Sequence, residues 1–127
     1  MRSLASRLAP ALRRGDAVFL FGPLGAGKTT FVRGMLEGLG FAGEVRSPTF
    51  NLLQVFETDP PVLHVDLYRV DSPAGLGIED YLDTHVCAIE WADRLGGFLG
   101  DSGAWRIEIS FAKDGREVAI CAPKFPE

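Results

Sequence analysis

The chain has 127 residues, 46% of them hydrophobic and 24% charged, with a net charge of −4. That is the size and balance of a single globular domain, 1–127, able to build one core without disulfide or metal staples. The acidic balance argues against direct, strong gripping of nucleic acid, because the thirteen basic residues are dispersed and Arg13-Arg14 is the sole adjacent basic pair. No apolar run approaches the ~20 residues of a membrane span, and the N-terminus lacks the apolar stretch of a secretory signal. The expectation is a cytoplasmic protein without membrane contact, with Cys87 and Cys121 as buried thiols inside apolar runs.

Residues 3–14 place Leu4, Leu8 and Leu12 on one helical face, with a kink or late start at Pro10. Ala17 to Phe21 is a continuous apolar run, the pattern of a parallel strand buried on both faces. A glycine-rich loop follows at once. The spacing of Phe31, Met35, Leu36 and Leu39 then predicts a helix from about Lys28 to Leu39, stopped by Gly40. Residues 41–49 read as a loop ending in Ser47-Pro48-Thr49. Phe50 to Glu57 and Val62 to Tyr68 are strand-like, and Thr58-Asp59-Pro60-Pro61 between them predicts an antiparallel hairpin. Residues 71–77 read as loop, Ile78 to Leu82 as one helical turn, and Val86 to Ile89 as a short buried strand ending at Glu90-Trp91. Ala92 to Leu99 reads as helical. Trp105 to Phe111 and Arg116 to Cys121 form a closing hairpin around Lys113-Asp114-Gly115. The sum is an α/β fold with a mixed sheet.

One motif carries explicit chemistry. Gly22-Pro23-Leu24-Gly25-Ala26-Gly27-Lys28-Thr29 has the form Gly-x-x-x-x-Gly-Lys-[Ser/Thr], placed between a strand and a helix. The glycines let backbone N–H groups turn inward toward phosphates. The helix beginning at Lys28 aims the positive end of its dipole at the same anion. Lys28 is placed to reach β- and γ-phosphates, and the Thr29 hydroxyl to ligate Mg²⁺. Thr30, the next residue, extends the cradle.

Such a loop needs a carboxylate for the metal, commonly at the end of a neighbouring apolar strand. Asp66 ends Val62-Leu63-His64-Val65, and Glu90 ends Val86-Cys87-Ala88-Ile89. Two acids permit a division of labour, one on the metal and one orienting or activating water. The sequence leaves their assignment open. Thr49, after Pro48, stands in a loop where a γ-phosphate sensor could lie. His64 shares a strand face with Asp66, and on residues alone reads as a hydrogen-bonded core or rim histidine. Arg69 reads as a surface ion-pair partner and His85 as a surface loop residue.

Taken in order, the motifs resemble one family. The glycine-rich loop with Thr30-Phe31 is followed by Ser47-Pro48-Thr49-Phe50, His64-Val65-Asp66-Leu67-Tyr68-Arg69, Gly77-Ile78-Glu79-Asp80-Tyr81-Leu82 and Ile89-Glu90-Trp91. This set, over residues 15 to about 122, is similar to the bacterial TsaE (YjeE) ATPases of tRNA threonylcarbamoyladenosine synthesis. The resemblance implies a P-loop nucleoside-triphosphatase-like three-layer fold with a mixed central sheet, and ATP with Mg²⁺ as cofactors. It implies a switch-like role for Thr49, site acids at Asp66 and Glu90, Thr29 and Glu90 nearest the metal, and a site tryptophan at Trp91. It also implies TsaD and TsaB as partners, with tRNA met only through that complex, and slow ATP hydrolysis by the chain alone. Three departures stand out. Against the family pattern, the expectation is an N-terminal edge strand that is missing or shortened, and Pro23 and Ala92 replace the family's frequent Asp and Pro.

Two other readings use the same loop. A small-metabolite kinase would need an acceptor pocket and an arginine-rich lid, for which no single loop supplies the arginines. An ATP-gated assembly module would need no turnover. A GTPase is disfavoured, since no Asn-Lys-x-Asp string occurs.

Overall fold

The computed structural model describes residues 2–23, 25–43, 53–68, 77–91 and 104–123. Helix α1 (Arg2–Leu8) leads into a 3₁₀ turn (Ala9–Ala11), then strand β1 (Ala17–Phe21) and helix α2 (Lys28–Gly38). The hairpin β2 (Leu53–Phe56) and β3 (Val62–Asp66) follows. A 3₁₀ turn (Ile78–Tyr81) precedes β4 (Val86–Glu90), and β5 (Ala104–Ala112) with β6 (Gly115–Cys121) closes the described chain. The expected helix over 92–99 lies outside the described residues.

Local chemistry accounts for these boundaries. The α-helix gives way to 3₁₀ geometry around Pro10, which lacks the N–H needed to continue the ladder. α2 ends where Phe41 N–H donates to Leu36 O at 2.9 Å and Gly40 N–H to Glu37 O at 3.1 Å. Gly40 has a φ of 94° there, so the predicted glycine stop is a C-terminal cap of the Schellman type.

The six strands form one sheet in the order β2-β3-β4-β1-β5-β6. β1 pairs in parallel with both β4 and β5, β3 pairs in parallel with β4, and the two hairpins add antiparallel edges. The sheet is mixed, as the sequence predicts, and β1 is central because its apolar run suits burial on both faces. α1 and α2 cover one face, where Val18, Leu20, Phe31, Met35, Leu36, Val62, Ala88 and Ile107 make one core. Phe19, Leu63, Val65, Cys87 and Ile89 make a second core on the other face, with Ile78 of the 3₁₀ turn packed into it. Each fully buried Leu, Ile or Phe here contributes roughly 1.5–3 kcal/mol. Gly34 and Gly38 let α1 lie directly on α2: a Cβ at Gly34 would stand 2.4 Å from Arg2 O.

One expectation fails. Cys87 is buried, but Cys121 is exposed. β6 is an edge strand, where Val118 and Ile120 face the core and Ala119 and Cys121 alternate outward. An apolar run on an edge strand covers only one face, so the second thiol is left outside. No helix among the described residues is long and apolar enough to cross a membrane.

Candidate functional site

Three parallel strands deliver their C-terminal ends to one place. β1 ends at Phe21 and feeds the glycine-rich loop; β3 ends at Asp66; β4 ends at Glu90. The β3–β4 register pairs Asp66 with Glu90, and the β1–β4 register pairs Leu20 with Glu90. Residues partnered in parallel strands point to the same face, here the face covered by α2. The N-terminus of α2 therefore meets both carboxylate-bearing strand ends. A cavity of about 290 Å³ lies between them, lined by Gly25, Gly27, Lys28, Thr29, Thr30, Asp66, Tyr68, Glu90 and Trp91.

Gly22, Gly25 and Gly27 all hold positive φ in the loop, and two of them show why glycine is needed. A Cβ at Gly22 would stand 2.4 Å from Ile109 O, so β5 passes too close for a side chain. Gly27 caps α2 with a φ of 112°, in the left-handed region that L side chains avoid. Within the loop, Ala26 N–H donates to Pro23 O at 3.1 Å. Lys28, the first residue of α2, is 5% exposed. Its Nζ donates to Gly22 O at 2.5 Å and Pro23 O at 3.3 Å and stands 3.8 Å from the centre of the Trp91 ring. The ammonium is thus held at the loop mouth by carbonyls and an aromatic face.

Trp91 is the sole non-glycine residue with positive φ (59°) among the described residues. This backbone turn directly after Glu90 swings the indole over Lys28 rather than along the strand. Tyr68 meets the same ring at a centroid distance of 4.9 Å. Backbone strain of this kind costs about 1–3 kcal/mol and concentrates at functional sites.

The two acids are tethered differently. Glu90 is 4% exposed; its Oε2 accepts the Thr29 hydroxyl at 2.8 Å and lies 2.5 Å from His64 Nε2. Asp66 is partly exposed, and its Oδ1 accepts Tyr68 N–H at 3.0 Å. Thr29 and Glu90 are therefore brought into direct contact, while Asp66 lines the same cavity from the neighbouring strand. Lys28 and the α2 N-terminus supply positive charge, and the carboxylates supply negative charge a few ångströms away. A seat of both signs suits a metal–polyanion pair better than either ion alone. The oxygen donors Thr29 and Glu90 also fit a Mg²⁺ ion, which takes few protein ligands and completes its shell with phosphate and water. Among the described residues no group of three or more His, Cys, Asp or Glu side chains is gathered to hold a metal by itself.

Leu24 and Thr49, both named from the motif pattern, lie outside the described residues, as do Ser47-Pro48, Arg69 and Ala92. Two residues gain importance only in three dimensions. His64 joins Glu90, as described. Arg116, on β6 at the far edge of the sheet, donates from Nε to Ala26 O at 3.1 Å and from Nη2 to Gly25 O at 3.4 Å. Its guanidinium also lies 4.6 Å from the Phe111 ring centre. The sequence signals for His64 are its alternation with Asp66 and its place in the family-like motif; for Arg116 there is none.

Comparison with known proteins shows the family and the fold. Residues 1–118 match the family described as "Threonylcarbamoyl adenosine biosynthesis protein TsaE". A Haemophilus influenzae protein named tRNA threonylcarbamoyladenosine biosynthesis protein TsaE is 40% identical over 110 residues, covering 83% of this chain and 69% of that one. The Streptomyces coelicolor protein of the same name is 46% identical over 100 residues, covering 73% and 68%. The Bacillus subtilis protein of that name is 40% identical over 124 residues, covering 95% and 78%. Among solved structures, the crystal structure of Bacillus subtilis YdiB superposes with a TM-score of 0.79 at 33% identity, covering 95% of this chain and 77% of that one. With the motifs, the mixed sheet and these relatives in agreement, the chain belongs to the TsaE family of tRNA threonylcarbamoyladenosine biosynthesis.

Proposed function

We propose that this chain is the Mg-ATP-binding and hydrolysing component of that modification pathway, acting in the cytoplasm on the TsaB–TsaD protein pair and meeting tRNA only through it. The observation that carries the reading is the hydrogen bond between Thr29 Oγ1 and Glu90 Oε2 at the N-terminus of α2. It joins the last residue of the Gly-x-x-x-x-Gly-Lys-Thr motif to a strand-end carboxylate, the pairing that nucleotide-bound metal requires.

The geometry supports the following roles. Gly25, Gly27, Lys28, Thr29 and Thr30 cradle the phosphates through backbone N–H groups and the helix dipole. Lys28 Nζ exchanges the carbonyls of Gly22 and Pro23 for β- and γ-phosphate oxygens. Thr29 and Glu90 hold the metal side of the seat, and Asp66, on the neighbouring strand end, orients the attacking water. Bound Mg²⁺ supplies neutralisation of charge on the phosphate oxygens. Water attacks the γ-phosphorus, the bond to the β–γ bridging oxygen breaks, and ADP, phosphate and a proton leave. Trp91, held over the loop mouth by its backbone turn, closes the seat on one side.

The net charge of −4 offers little pull on a polyanionic RNA, which supports a role through protein partners. The test is ATP hydrolysis by the purified chain with and without the TsaB–TsaD pair. Slow release of free phosphate, accelerated by the pair, is expected. No ATP binding, or no response to the pair, overturns the reading.

A further inference from the structure

We propose that His64 is a positioning residue for the site: it fixes the Glu90 carboxylate and, through it, the Thr29 hydroxyl. The inference rests on the reading of Glu90 and Thr29 as the metal-side pair.

His64 lies on β3 on the same face as Glu90 and is fully buried. Its partner across the β3–β4 ladder is Ala88, one of the smallest side chains, with Glu90 two residues further along. The methyl opposite leaves room for the imidazole to lean toward the strand end and reach Glu90. Both side chains are out of water, at 0% and 5% side-chain exposure, and Nε2 stands 2.5 Å from Oε2.

The donor must come from the imidazole when Glu90 is ionised. An ionised carboxylate is an acceptor only, so Nε2 must carry the proton and donate. Nδ1 is then a bare lone pair, and it is one of two buried side-chain polar atoms without a partner among the described residues. A buried acceptor left unpaired is better tolerated than a buried N–H, which agrees with a ring that donates once, to Glu90.

Two donors thus converge on Oε2: the His64 N–H and the Thr29 O–H. The Thr29 proton, committed to Glu90, leaves the hydroxyl lone pairs for a cation. The Glu90 Oε1 is left for an incoming ligand. Without His64 the carboxylate would keep only the Thr29 tether and rotate, and the hydroxyl would lose its fixed acceptor. Residues that orient ligands in this way are commonly worth about 10–100-fold in metal affinity or activity.

The test compares wild type, His64→Leu, which keeps volume but removes the donor, and His64→Gln, whose amide N–H can replace Nε2–H. ATP affinity is measured by calorimetry with and without Mg²⁺, alongside kcat and KM for hydrolysis and thermal unfolding. For His64→Leu, affinity without Mg²⁺ should stay within about twofold, the Mg²⁺-dependent gain should shrink, and kcat should fall about tenfold or more. His64→Gln should recover most of the kcat. Wild-type kcat in His64→Leu, or the same loss in both variants, overturns the proposal and leaves His64 as packing. If His64→Leu does not fold, His64→Gln decides: near-wild-type kcat supports the role, and a loss as large as that of Glu90→Ala overturns it. Failure of wild type itself to bind or hydrolyse ATP would remove the functional reading first, and this inference with it.

Discussion

Asp66 and Glu90 are Cα partners on the same rung of adjacent parallel strands, yet they are bound to different neighbours. Glu90 is buried and tied to Thr29 and His64, whereas Asp66 is partly exposed and tied to the backbone N–H of Tyr68. Equal register with unequal tethering suits two acids with different tasks: a fixed one for a metal and a solvent-facing one for water.

Glu90→Ala should therefore spare nucleotide binding and damage turnover. The backbone cradle and Lys28 remain, so ATP affinity should change by no more than a few-fold. Hydrolysis should fall by about two orders of magnitude, the scale of a lost acid–base or metal-positioning group. Steady-state phosphate release alongside calorimetry checks this. Normal hydrolysis in the variant would make Asp66 the principal carboxylate.

Lys28→Ala should abolish tight ATP binding. Lys28 is the basic side chain among the cavity-lining residues, and its charge-assisted hydrogen bonds to phosphate are worth up to about 3 kcal/mol, or roughly a hundredfold in Kd. Calorimetric affinity near that of wild type would refute the phosphate-loop assignment.

Arg116→Ala should weaken ATP binding a few-fold without altering the fold. Arg116 holds Ala26 O outward, and because a trans peptide sets C=O and N–H on opposite sides, the Gly27 N–H is turned the other way, into the loop. A partly exposed brace of this kind is worth about 1 kcal/mol. Arg116→Lys should fall between wild type and Arg116→Ala, since a lysine cannot span both carbonyls in a fixed fork. Titration with ATP measures the effect, and an unchanged Kd in Arg116→Ala would show that the loop holds its shape unaided.

Gly34→Val should destabilise the fold by about 2 kcal/mol, because its Cβ would collide with the backbone of Arg2 and push α1 off α2. Denaturant unfolding with the midpoint compared to wild type is the check. An unchanged midpoint would mean that the seven-residue α1 contributes little to global stability.

The two thiols should react differently. Burial pushes the Cys87 thiol up to about 11 from 9.0, and only a thiolate is nucleophilic. A thiol reagent at pH 8 should label Cys121 at once and Cys87 only after denaturation. Because the folded chain holds the Cys87 proton more tightly than the unfolded chain, this group's contribution to stability is intact below pH 9 and is lost as pH rises toward 11, by up to about 2 kcal/mol. Stability curves of wild type and Cys87→Ala should converge over that window. Rapid labelling of both cysteines in the native state would contradict the burial of Cys87.

The sequence by itself determined the strands and helices of the described residues and the family. The unbroken apolar run at Ala17–Phe21 required a strand buried on both faces. The glycines at 22, 25 and 27 required a tight loop with left-handed turns, and Gly40 required a helix stop. The order of the motifs named the family. Those features are legible because each depends on residues close in sequence: periodicity, turn chemistry and local spacing. What tertiary structure alone decided is which distant groups meet. Glu90 rather than Asp66 is the direct partner of Thr29, because of the strand order β3-β4-β1 and the way α2 lies across it. His64 became part of the site because Ala88 opposite it leaves space to reach Glu90. Arg116 reaches the loop because β5 runs past the end of β1 and the β6 hairpin returns beside it. Cys121 faces solvent because its strand lies at the sheet edge, and edge or centre is a property of topology that no apolar run records.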